Sequence, residues 1–242
     1  MSAIVRSTRT SFYPLIAIAL VLFIIVGFSR TYYLRFLSGL PPLSVLIHLH
    51  GLVFTAWLAL FITQTQLIAA HRVDLHMKLG MAGVVLAFFV VTIGVATVFG
   101  SAATPRVHSS GLSSPQFSIV GFVTIGTFAT LVALGVALRR RASLHKRFML
   151  LAMVGAAGPA TGRIIGLIGA GKYALLVQMG VIAAFVMCCL VYDWRRNRVV
   201  HPVFAVGGLV MLLLWPLRYA VARSEAWQPI GEWIAKVGKL LV

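Results

Sequence analysis

Acidic side chains are nearly missing from this sequence: Asp74, Asp193, Glu225 and Glu232 stand against 21 lysines and arginines, a formal charge of +17 over 242 residues. Charged residues of both signs make up 10% of the chain, far below the roughly 25% of soluble domains. A water-soluble domain is thereby excluded. No Asp or Glu is expected inside any apolar run, which argues against a carboxylate proton relay or a carboxylate-lined cation path. Cysteine is scarce as well. Cys188 and Cys189 are adjacent, and helical neighbours diverge by about 100°, so they cannot close an unstrained disulfide and read as small apolar fillers. There is no Gly-rich phosphate loop, no C-x-x-C pair and no C-x-x-C-H haem attachment. No lysine stands at the centre of the last apolar run, so a retinal Schiff base has no support there.

What fills the chain instead is apolar sequence, 60% hydrophobic with a mean hydropathy of +1.00. It falls into runs of about 17–25 residues, the length that spans a bilayer. Seven spans are predicted, at about 12–29, 44–68, 75–99, 117–138, 144–169, 173–194 and 202–221. The first run is longer than a signal-peptide core and ends in a poor cleavage site, Gly27-Phe28-Ser29-Arg30, so it is expected to remain as a span. Little polar sequence separates the runs. The expectation is a single all-α integral membrane domain over 1–242, a bundle of seven transmembrane helices. A short amphipathic helix follows at about 227–242, with Ile230, Trp233, Ile234, Val237 and Leu241 on one face. That tail is expected to lie in the interface or to dock on the bundle. Asp74 and Ser143 are expected to cap the third and fifth spans, and Pro202 to open the seventh.

The positive charge is scattered in short clusters between apolar runs, so nucleic acid is not an expected partner. The lipid bilayer is, and a membrane-protein partner or a second copy stays open. Arg6, Arg9, Arg72, Lys78 and the clusters at 139–147 and 195–198 fall on one side and outnumber the basic residues opposite. The positive-inside rule then puts the N-terminus in the cytoplasm and the C-terminus outside a bacterial inner membrane.

Polar groups inside lipid are expensive and mark function. On the second span His50, Trp57 and Gln64 are spaced by seven, which places them on one helical face with Phe54 and Phe61 beside them. Such a face suits a planar ligand such as haem or a quinone; a helix–helix seam is the alternative. On the fifth span Arg163 follows Gly158-Pro159 and Gly162, where Pro159 is expected to kink the helix and the glycines to admit a neighbour. His50, Arg163 and Gln178 each lie on the order of 9 Å inside one border at 1.5 Å per residue. That shared depth predicts a pocket in which Arg163 meets a carboxylate or propionate and His50 a metal or quinone carbonyl. The other reading has Arg163 snorkelling to the surface. At the opposite border His71, His76 and His145, with Gln64 and Gln66 just inside, could take a divalent metal or ligate haem; interfacial histidines are the alternative. His108 and His201 read as ordinary loop residues. Arg72-Val-Asp-Leu-His76 echoes Arg141-Ala-Ser-Leu-His145, which suggests duplicated helical hairpins.

The set His48, Gly51, Trp57, Gln66, Arg72, His76 and Gly80 resembles a group of uncharacterised bacterial polytopic membrane proteins, and is loosely similar to haem b-type cytochrome bundles and oxidase-assembly membrane proteins. The resemblance implies a bound haem b, quinone or divalent metal and a role in electron transfer or respiratory assembly. The chain departs from the di-haem pattern, having no two histidine pairs at matched depth. Two other classes stay open: a transporter or channel for a small solute, anionic or not, with Arg163 at its site, and a non-catalytic membrane partner. No catalytic residue is assigned.

Overall fold

The computed structural model describes residues 12–108 and 110–241; Arg6 and Arg9, counted above toward orientation, lie outside the described residues. Among those described, seven helical segments are long and apolar enough to cross a membrane. Helix α1 (Phe12–Phe28) runs on into a π-helical turn, Ser29–Tyr33, and α2 (Val45–Ala69) and α3 (Val73–Ala103) follow as a hairpin. A second hairpin joins α4 (Ser114–Ala137) to the fifth span, which is built from α5 (Ala142–Ala156) and α6 (Gly158–Leu167). Helices α7 (Ala174–Asn197) and α8 (Pro202–Arg223) complete the bundle, and α9 (Gln228–Gly238) is short. The protein is an all-α integral membrane bundle. We call the side where α1, α3 and α5 begin the N-terminal border, and the opposite side the far border.

The fifth span is the hub. Of its most apolar window 67% is buried, against 17% for α2 and 22% for α3 and α4. Leu151, Ala152, Met153 and Val154 are wholly enclosed. The span breaks at Ala157 because Pro159 has no N–H to give the carbonyl four residues earlier. Small residues let α1 press against the broken segment: a Cβ on Gly27 would stand 2.7 Å from the Cβ of Ala160. Gly27→Leu is therefore expected to lower stability by about 1–3 kcal/mol, read as the thermal unfolding midpoint of detergent-purified protein.

Several helix ends differ from expectation. The N-caps of α3 and α5 are Arg72 and Arg141, so Asp74 and Ser143 sit inside the first turn. Asp74 still meets the positive end of the helix dipole there. Helix α4 starts at Ser114, ahead of the expected 117, because Ser113 and Gln116 form a reciprocal capping box. Pro202 does open α8, with His201 Nδ1 accepting from the Val203 N–H at 3.2 Å.

The largest correction concerns acid inside a span. Asp193, on α7, is wholly buried and accepts two hydrogen bonds from the Arg147 guanidinium, Nε to Oδ2 at 3.0 Å and Nη2 to Oδ1 at 2.6 Å. Arg147 Nη1 also donates to the carbonyl (2.8 Å) and hydroxyl (2.6 Å) of Ser143, and the guanidinium lies over the Phe204 ring, 5.5 Å from its centroid. One ion pair thus ties α5 to α7 beside α8. Helix α9 docks on the bundle: Gly231 leaves space for the Pro115 carbonyl, which a Cβ would approach to 2.6 Å, and Gly238 packs against the Phe99 carbonyl.

Candidate functional site

Arginines at the far border lack carboxylate partners. Among the described residues the ion pairs are Arg72–Asp74 and Arg147–Asp193, both at the N-terminal border. Arg163 and Arg218 lie within spans, and Arg106 and Arg223 at the loop and helix end nearby.

Arg163 turns toward the end of α1. Its Nε donates to Thr31 Oγ1 at 3.1 Å, Nη1 donates to the Pro159 carbonyl at 3.0 Å, and the guanidinium lies over the Phe28 ring at 3.9 Å. The π-helical turn presents Thr31 there, held in place by Arg35 Nη1 on the Thr31 carbonyl (3.1 Å) and by Tyr33 Oη against Thr55 Oγ1 of α2 (2.9 Å). Arg163 is exposed at the surface of the chain. Its guanidinium is therefore exposed on one side and held on the other by Thr31, the Pro159 carbonyl and the Phe28 ring. His50 shares the region. Its ring stacks on Phe54 (6.2 Å, 7° between planes), sits beside Gly94 of α3 and falls within electrostatic range of Arg163.

Gln178 faces elsewhere. Buried on α7, it donates to the Gly158 carbonyl at 2.8 Å and accepts from Tyr219 Oη at 2.9 Å. The shared depth of Gln178 and Arg163 is thus a grip on successive carbonyls at the helix break, not one pocket wall. Beside Tyr219, Arg218, 2% exposed, donates to Thr124 Oγ1 at 2.9 Å and covers the Trp215 ring at 3.9 Å. Arg218 Nε and Trp215 Nε1 are both buried, and neither has an acceptor among the described residues. Buried donors left unpaired are rare in folded proteins and call for a partner. The sequence signal was an arginine three residues after a tryptophan, inside an apolar run.

The stripe predicted on α2 divides. Trp57 and Phe61 are buried in the core, where Trp57 Nε1 donates to Met153 Sδ at 3.2 Å and its ring meets Phe128 edge-on. Trp57 is therefore seam, while Gln64 belongs to the N-terminal border: its Nε2 donates to the His76 carbonyl at 3.3 Å. Of the three histidines expected together, His76 and His145 are in ring contact with centroids 6.1 Å apart. His71, in the left-handed conformation at φ 59° where α2 turns into α3, does not join them; among the described residues no three His, Cys, Asp or Glu side chains form a metal-holding group.

His108 is more than an ordinary loop residue. It stacks flat on Phe117 (3.8 Å, 8°), and burial, then Arg106 and Arg163, hold its imidazole down to about 4. An unfolded histidine takes up its proton near 6.5, so between these values the unfolded chain binds more protons than the folded one. Stability present above pH 6.5 is expected to fall as pH drops toward about 4, and His108→Phe to flatten that slope in a pH series of thermal unfolding.

No protein-family model matches the chain, no curated protein matches it, and no solved structure matches it. Fold and site together define the class: a polytopic helical membrane protein whose arginines at one border, Arg218 buried and Arg163 exposed, form no ion pair among the described residues.

Proposed function

We propose that the protein binds a small anionic ligand, or the acidic head of an amphiphile, in the half of the bundle next to the far border. The observation that carries this reading is Arg163, a guanidinium within a span that has no ion pair among the described residues and is held at the surface by Thr31 and the Pro159 carbonyl. A charge in that position is costly unless something of opposite sign completes it. A planar guanidinium fork suits a carboxylate or phosphate better than a point charge would. The Phe28 and Phe54 rings supply apolar surface for the body of an amphiphile. A quinone-like or haem-like molecule bearing an acid falls within this ligand class. Arg106, Arg218 and Arg223 raise the local positive potential that draws the ligand in.

With the N-terminal border in the cytoplasm, as the basic clusters favour, the site opens toward the outer face of a bacterial inner membrane. The test is thermal unfolding of the protein in neutral-lipid nanodiscs with added inorganic phosphate, benzoate or choline. Binding by the favoured state raises the midpoint. Phosphate or benzoate should stabilise the protein and choline should not; no anion-dependent shift, or an equal shift with choline, contradicts the proposal.

A further inference from the structure

The N-terminal border holds a second group of side chains that the anion reading leaves unused. We propose that His76, His145 and Gln64 form a binding site for one transition-metal ion of the copper or zinc class, held by His145 Nε2, His76 Nδ1 and Gln64 Oε1.

The unpaired atoms come first. His76 Nδ1 and Gln64 Oε1 are both buried and have no hydrogen-bond partner among the described residues, although Gln64 Nε2 anchors the same side chain on the His76 carbonyl at 3.3 Å. Gln64 Oε1 is an acceptor, and His76 Nδ1 is one in the tautomer that carries its proton on Nε2; two such atoms left unmet in one place call for something that accepts electron pairs. A cation does so.

His145 is prepared in the way a metal ligand is. Its Nδ1 lies 2.8 Å from the Gly135 carbonyl, which has no proton to give, so Nδ1 carries the hydrogen and Nε2 carries the lone pair. Fixing the tautomer by donating the distal N–H to a backbone carbonyl is the usual outer-shell arrangement of metal-bound imidazole. Nε2 makes no hydrogen bond to a described residue.

The spacing fits. Two imidazoles that each hold one ion through nitrogen at about 2.0–2.1 Å place their ring centroids about 5–6.4 Å apart. The observed separation is 6.1 Å, with the rings at 80° to each other. A neutral imidazole pair with one amide oxygen favours copper or zinc over magnesium or calcium.

The two histidines reach this position by the same local route. His76 and His145 each stand four residues after an arginine N-cap, their N–H groups bonding the carbonyls of Arg72 and Arg141 at 3.0 Å in both copies. The sequence echo is thus a structural one, and its two copies meet at the site. His71 is not part of it.

The experiment strips full-length protein with a chelator, adds one equivalent of Cu(II) in nanodiscs and measures retained metal by elemental analysis and the spectrum by electron paramagnetic resonance. One ion per chain with coupling to two imidazole nitrogens is expected, kept in His71→Ala and weakened at least tenfold in His76→Gln and in His145→Gln. No retained ion, coupling to no nitrogen or to one, or full retention in both glutamine variants overturns the proposal; the first of these would leave a bridging water as the partner of the unpaired atoms. The wild-type spectrum decides even if a variant fails to fold. Because the site lies at the opposite border from Arg163, its failure leaves the anion reading untouched, and the reverse also holds.

Discussion

Asp193→Ala should destabilise the protein by about 3–5 kcal/mol, the cost of leaving one buried charge without its partner. Arg147 would keep its bonds to Ser143 but lose both to the carboxylate, in a place where it is 3% exposed and water cannot substitute freely. Arg147→Ala should be comparably severe, since among the described residues a wholly buried carboxylate would then retain only the 3.4 Å contact from the His201 N–H. The double replacement Arg147→Met with Asp193→Leu is expected to recover most of the loss, because exchanging a buried pair for apolar side chains of similar volume is often neutral or better. Chemical denaturation in mild detergent measures all three. A purely additive double variant would show that the two residues contribute separately rather than as a pair.

Arg163→Gln should weaken binding of an anionic ligand by about 10- to 100-fold, the equivalent of one hydrogen bond to a charged group. Arg163→Lys should regain only part of the loss, since an ammonium cannot offer the planar fork. Stability should change little in the unliganded protein. Removing the bonds to Thr31 and Pro159 costs something, and removing an uncompensated charge offsets it. That separation between binding and stability distinguishes a ligand contact from a structural arginine. Titration of the two variants beside wild type, by calorimetry in nanodiscs, measures it.

The spans were legible because length and apolarity alone define a membrane crossing, and the break before Pro159 because proline cannot donate. Arg163 stood out for the same kind of reason, a charge in an apolar run. What the sequence could not supply was neighbours. Helical periodicity assigns a residue to a face, but which helix that face meets is decided by packing of all the others. Arg147 belongs by sequence to a basic border cluster and nothing near it in the chain points to Asp193, 46 residues on; the fold makes them buried partners. Trp57 shares a face with His50, yet Met153, 96 residues on, takes its N–H. Depth grouped Gln178 with Arg163, but depth is a one-dimensional quantity, and Gln178 bonds the Gly158 carbonyl and the Tyr219 hydroxyl instead. The histidine echo was legible as a pattern, and only the fold brings its two copies to one spot.

The most direct test of the anion site is calorimetric titration of nanodisc-embedded protein with a medium-chain fatty acid carboxylate and, separately, with its methyl ester. The two share an apolar body and differ in the charge that Arg163 is proposed to meet. Saturable binding of the carboxylate, with the ester at least tenfold weaker, is the predicted result. Equal binding of acid and ester, or no saturable binding of the acid, would contradict a site built on an uncompensated guanidinium.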